Sequence, residues 1–118
     1  MGSRTNYTIV TTKNPLQNIN LYAHWDGDES VEILKAALGK ALVRLGDPSY
    51  FVRILINALQ SNHDSETGYG IYVGEVDHEE SYDYKEVNLI NNTVTINDRT
   101  FSIKEFAEFQ DVLELQLF

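Results

Sequence analysis

Two apolar stripes at helical spacing, with a chain breaker between them, limit this chain more than any other feature. Val31, Leu34, Leu38, Ala41, Leu42 and Leu45 recur every three or four residues. After Gly46, Asp47 and Pro48 the pattern resumes with Phe51, Ile54, Leu55, Ala58 and Leu59. Such spacing puts each set on one face of a helix. Gly46 stands where a left-handed residue closes a helix, and Asp47-Pro48 is a cap followed by a first-turn proline. Asp28 or Ser30 can cap the first helix, with Glu29 and Glu32 favourable beside its positive end. A helical hairpin is predicted, and its stripes need a further layer to cover them.

The flanking segments read as strands and supply that layer. Tyr7 to Thr12 is rich in β-branched and aromatic residues, and Ile19 to Trp25 alternates with Ile19, Leu21, Ala23 and Trp25 on one face. Lys13-Asn14-Pro15 and Gln17-Asn18 supply turn chemistry between them. Tyr69, Ile71 and Val73 alternate with Gly70, Tyr72 and Gly74 as a further strand. Residues 87–90 and 93–96 read as a tight hairpin about Asn91-Asn92, because Asn tolerates the positive φ of such turns. Ser102-Ile103-Lys104-Glu105 is a capping-box pattern opening a short helix, with Ile103, Phe106 and Phe109 inward. Residues 112–118 alternate like a final strand and are strongly apolar. The expected order is β-β-α-α-β-β-β-α, with that strand as an optional end. This is an α+β fold in which an antiparallel sheet packs with the helical hairpin and the short C-terminal helix.

At 118 residues the chain fits one domain, 1–118. It has no cysteine, which removes disulfides, thiolate catalysis and thiolate metal sites. No apolar run reaches the roughly 18 to 20 residues that span a bilayer. The first residues show neither a signal-peptide core nor a good myristoylation pattern. A cytoplasmic protein with no membrane partner is therefore expected.

Charge is unevenly distributed. Residues 1–60 hold six bases and five acids, whereas residues 61–118 hold three bases and thirteen acids; the net charge is −9. A nucleic-acid surface needs clustered Lys and Arg to displace counterions. Direct nucleic-acid binding is not expected.

Motifs for catalysis and cofactors are weak. His24 and Asp26 could form a carboxylate-held base, but they share a face of extended chain beside a turn, with no nucleophile pattern near them. Trp25 more simply anchors the core there. His24, His63 and His78 never approach metal-ligand spacing. Asp26-Gly27-Asp28 begins like a calcium loop, yet Val31 stands where Gly is needed and Ala37 where the bidentate Glu is needed. The Gly68-Tyr69-Gly70 stretch has Val73 at the third glycine of a dinucleotide fingerprint, and it lies in a strand. Its glycines would allow twist or close approach, though Tyr69 and Tyr72 could cradle a base. Neither a catalytic residue nor a cofactor nor a metal is expected.

Tyr22-Ala23-His24-Trp25-Asp26-Gly27, with Arg4 before it and Asp47-Pro48-Ser49-Tyr50 after it, resembles small hypothetical proteins of bacteriophage and prophage genomes. Those proteins combine an early Arg, a Tyr-x-His-Trp-x-Gly segment and a two-helix middle. The resemblance covers roughly residues 4–60 and attaches no activity to individual residues. It implies a viral setting, and with it an accessory or host-directed role.

The acidic stretch is the candidate site. Glu75, Asp77, Glu79, Glu80, Asp83 and Glu86 crowd together, opposed only by Lys85, and Tyr82 and Tyr84 add aromatics that favour interfaces. In extended chain, alternate carboxylates would lie about 6.6 Å apart, a pitch comparable to that of backbone phosphates. The bland alternative is a solvated loop that keeps the protein soluble. The leading expectation is an inhibitor of a host protein with a basic surface, anti-defence or anti-CRISPR-like, that mimics nucleic acid. A nucleotide-sequestering binder is the alternative, with Arg4, Arg44, Arg53 and Arg99 as its phosphate donors. A third reading is an assembly module that forms a homo-oligomer through its C-terminal segment. An enzyme is not expected.

Overall fold

The computed structural model describes residues 4–23, 29–60, 68–75 and 85–108. The described elements run β1 (Thr5–Val10), β2 (Ile19–Ala23), α1 (Ser30–Ala41), α2 (Pro48–Leu59), β3 (Tyr69–Val73), β4 (Lys85–Asn88), β5 (Thr93–Ile96), β6 (Arg99–Ser102) and α3 (Ile103–Glu108). The fold is mixed α+β, with a six-stranded sheet and three α-helices among the described residues. Spatial strand order is β3-β2-β1-β4-β5-β6.

The wholly antiparallel sheet expected from the sequence needs correction. β1 and β4 pair in parallel, Ile9 opposite Val87, while the other four pairings are antiparallel. β6 is an added strand. Its residues Arg99 to Ser102 carry only one apolar side chain, Phe101, so hydrophobic alternation could not reveal it. Asn97-Asp98 turns β5 into β6 in two residues, with Asn97 at φ 54°. The connection before β5 is longer than a tight Asn91-Asn92 turn. It spans residues 89–92, and Asn88 Oδ1 accepts from the N–H of Ile90 at 2.9 Å and of Asn91 at 3.0 Å. Asn92 then takes φ 56°.

α1 and α2 pack against each other, and their buried residues join those of the sheet in one core. Leu34, Leu38, Leu55 and Leu59 are closed to solvent, as are Tyr7, Ile9 and Leu21 on β1 and β2. Each fully buried Leu or Ile contributes about 1.5–3 kcal/mol of transfer free energy. Leu45, expected on the first stripe, lies beyond a 3-10 turn (Leu42–Arg44) and is exposed. Gly46 follows at φ 98°, and Pro48 opens α2. Glu29 holds the N-cap position of α1 without a side-chain bond, Ser30 is buried within the helix, and Asp28 lies outside the described residues. Asp47 holds the N-cap of α2, also without a side-chain bond. The capping box of α3 is half made, with Glu105 N–H donating to Ser102 Oγ at 3.0 Å. No described helix is long and apolar enough to cross a membrane. Trp25, Phe109 and the expected strand at 112–118 lie outside the described residues.

Candidate functional site

Among the described residues β3 is an edge strand, and a chain of polar bonds fixes its far end. Thr8 Oγ1 on β1 donates to Asn20 Oδ1 on β2 at 2.8 Å, and Asn20 Nδ2 donates to Gly74 O at 2.8 Å. Asn20 is fully buried, so its amide would be costly to leave unpaired. Gly74 N–H donates in turn to Asn18 O at 2.9 Å. Gly74 sits at φ 134°, a conformation that favours glycine whatever space surrounds it. The acidic stretch therefore starts, at Glu75, from a pinned and exposed position.

Glu86, its last member, lies in β4 beside Thr8 and is half-buried. β4 is three strand spacings from β3, about 14 Å across the sheet. Glu75 thus follows the end of β3, whereas Glu86 lies within β4. Asp77, Glu79, Glu80, Tyr82, Asp83 and Tyr84 lie outside the described residues, as do His24, Asp26, His63 and His78.

Lys85, the one base that opposes this stretch in sequence, is turned into the protein. It is 2% exposed, and its Nζ donates to the Oγ1 of buried Thr5 at 3.0 Å. On β4 it alternates with Glu86 and stands in line with Val87, which faces the core. The signal for this was present as period-two alternation in Lys85-Glu86-Val87-Asn88, but a lysine at an inward position reads as solvent-facing.

Along β3 itself, Ile71 is 57% exposed, Tyr72 40% and Val73 66%. Partial burial raises the Tyr72 hydroxyl above its ordinary value of 10.0, so it remains a neutral donor at physiological pH. Two of the four arginines considered as phosphate donors lie over aromatic rings. Arg44 lies 4.9 Å from the Tyr50 ring centroid, and Arg99 lies 5.6 Å from that of Phe101, on the opposite edge of the sheet.

A separate groove of about 410 Å³ opens where the parallel pair β1 and β4 ends. Val10, Thr12, Lys13, Asn18, Asn88 and Asn91 are among its lining residues. Asn18 is 9% exposed, and its Oδ1 has no hydrogen-bond partner. In open sheets, ligands favour the carboxyl ends of parallel strands where the strand order reverses, and β1/β4 is such a point.

No protein family matches the chain, and neither a curated protein nor a solved structure does.

Proposed function

We propose that the protein is a phage-type accessory factor that binds and inhibits a host protein through a basic surface, its carboxylates taking the place of nucleic-acid phosphates. One observation carries this reading: the acidic stretch departs, at Glu75, from the exposed end of an apolar edge strand. In this reading α1 and α2 act as a helical hairpin that backs the sheet and holds the edge in place. The viral setting rests on the Tyr22 to Gly27 string with Arg4. A cytoplasmic location in the host cell belongs to the same proposal.

The direct test is the quadruple change Asp77→Lys, Glu79→Lys, Glu80→Lys and Asp83→Lys, with partners captured from host lysate at low and high salt. Loss of a salt-sensitive protein partner, with the melting temperature unchanged, supports the reading. Association should slow more than dissociation quickens, since charges at an interface rim chiefly steer encounter. Retention of full partner binding would make the stretch a solvated loop.

The unpartnered Asn18 Oδ1, in a groove that Lys13 also lines, favours a second reading, a small-ligand binder sited at the β1/β4 groove. A nucleotide that co-purifies with the wild-type chain but not with Lys13→Glu would decide for it.

A further inference from the structure

We propose that the outer edge of β3 takes up an extended segment of the partner as a seventh strand, one with alternating apolar residues and Lys or Arg at both ends. This rests on the partner-binding reading above and adds the way the partner is held.

The hydrogen-bond pattern decides which groups are on offer. In an antiparallel pair, bonded and non-bonded residue pairs alternate. The bond from Gly74 N–H to Asn18 O marks that pair as bonded. With Ile19 opposite Val73 and Leu21 opposite Ile71, the other bonded pairs are Asn20 with Tyr72 and Tyr22 with Gly70. Ile71 and Val73 therefore turn their N–H and C=O groups away from β2, toward the open edge.

The side chains of these two residues fit the same use. Ile71 is directly opposite Leu21, which is fully buried on the helix-facing side of the sheet. Residues opposite each other in a pair project on the same face. Ile71 and Val73 thus continue the apolar face of the core by one strand, yet stay 57% and 66% exposed. A further strand would cover them and satisfy their backbone groups together. The edge also lacks the lysine, proline or bulge that usually discourages such pairing.

β6, the opposite edge, offers no such surface. Ile103 N–H donates to Asn92 O, so by the same alternation Thr100 and Ser102 face outward there. Thr100 Oγ1 is bonded to Thr95 Oγ1, and Ser102 Oγ accepts from Glu105 N–H.

Charge selects the occupant. Asp64 and Glu66 precede β3 in sequence, and Glu75, Asp77, Glu79 and Glu80 follow it. Antiparallel self-pairing would set the acidic sequence after one β3 beside the acidic sequence before the other. Two copies, each at −9, repel. A segment with basic ends gains attraction at both ends, and strand addition of this kind takes affinity from main-chain bonds and specificity from alternate side chains.

The probe is a capped peptide with two lysines at each end and alternating valine and threonine between them. A second peptide is identical except for N-methyl groups on the amides that would face β3. Binding of the first to the full chain should slow amide exchange at Ile71 and Val73 more than tenfold and leave Tyr72 and Gly74 unchanged. Ile71→Pro, which removes one outward N–H but no bond to β2, should weaken binding at least tenfold, as should the double change Ile71→Lys and Val73→Lys. If Ile71→Pro fails to fold, the methylated peptide makes the comparison on the wild-type chain. Equal affinity of the two peptides, no saturable binding, or a wild-type dimer that Ile71→Lys/Val73→Lys dissociates would each overturn the proposal, the last in favour of a second copy. If the peptide fails while the Asp77/Glu79/Glu80/Asp83 reversal still abolishes partner capture, only strand addition is lost. If the peptide binds as expected while that reversal changes nothing, only the acidic reading is lost.

Discussion

The ammonium of Lys85 donates to the hydroxyl of Thr5 across 3.0 Å, and both residues are closed to solvent at the heart of the sheet. A buried charge needs such partners, since leaving it without them costs several kcal/mol. Thr5→Val keeps the shape and removes the acceptor. It should lower stability by about 1.5–3 kcal/mol, the range for a hydrogen bond to a charged group. Thr95→Val removes an exposed hydroxyl pair with Thr100 and should stay within about 0.5 kcal/mol. Urea titration of both variants gives the comparison, and equal midpoints would mean that Lys85 does not depend on Thr5.

Core packing between the helices gives a second expectation. Leu38 and Leu55 are fully buried on α1 and α2, whereas Lys40 is exposed. Leu38→Ala and Leu55→Ala should each cost about 2–5 kcal/mol by opening cavities. Lys40→Ala should change little. Three similar denaturation midpoints would refute the assignment of faces.

Two glycines should respond in opposite directions. Beyond the adjoining backbone, neither Gly39 nor Gly46 has a heavy atom within 4 Å of where a Cβ would stand, so backbone conformation decides. Gly39 lies inside α1, and Gly39→Ala should stabilise by about 0.5–1 kcal/mol. Gly46 has φ 98°, and Gly46→Ala should destabilise by about 1–2 kcal/mol. Calorimetric melting temperatures that move the same way would contradict this.

Asn20 ties the edge strand to the centre of the sheet. Asn20→Ala leaves Thr8 Oγ1 and Gly74 O without their partner and should cost about 1–3 kcal/mol. Its signature is local: amide exchange at Gly74 should quicken beyond what the global loss explains. A uniform change across all strands would show that Asn20 has no special hold on β3.

These expectations also show where sequence reading succeeds. The two helices were legible because Leu34, Leu38, Leu55 and Leu59 combine period 3.6 with Gly46 and Pro48 as punctuation, all local information. Ser102 with Glu105 marked the start of α3 for the same reason. Partnership between β1 and β4 was not legible, because nothing near Ile9 specifies that Val87 will lie beside it. The burial of Lys85 was not legible either, since it depends on a neighbour from the other end of the chain. Of the candidate site, the apolar alternation of β3 could be read, but its place at an edge follows only from the strand order.

That strand order sets a schedule for the chain as it is made. Thr5 and Lys85 meet across 80 residues, so the centre of the sheet joins its earliest and some of its latest parts. At roughly 5–20 residues per second, ribosomes need roughly 4–16 s to make that interval. Until β4 emerges, β1 has a neighbour on one side only, and its other edge is bare. In the nascent protein β1 is thus itself an edge, and only the arrival of β4 moves that edge outward to β6, so crowding during synthesis meets a central strand that the mature fold hides.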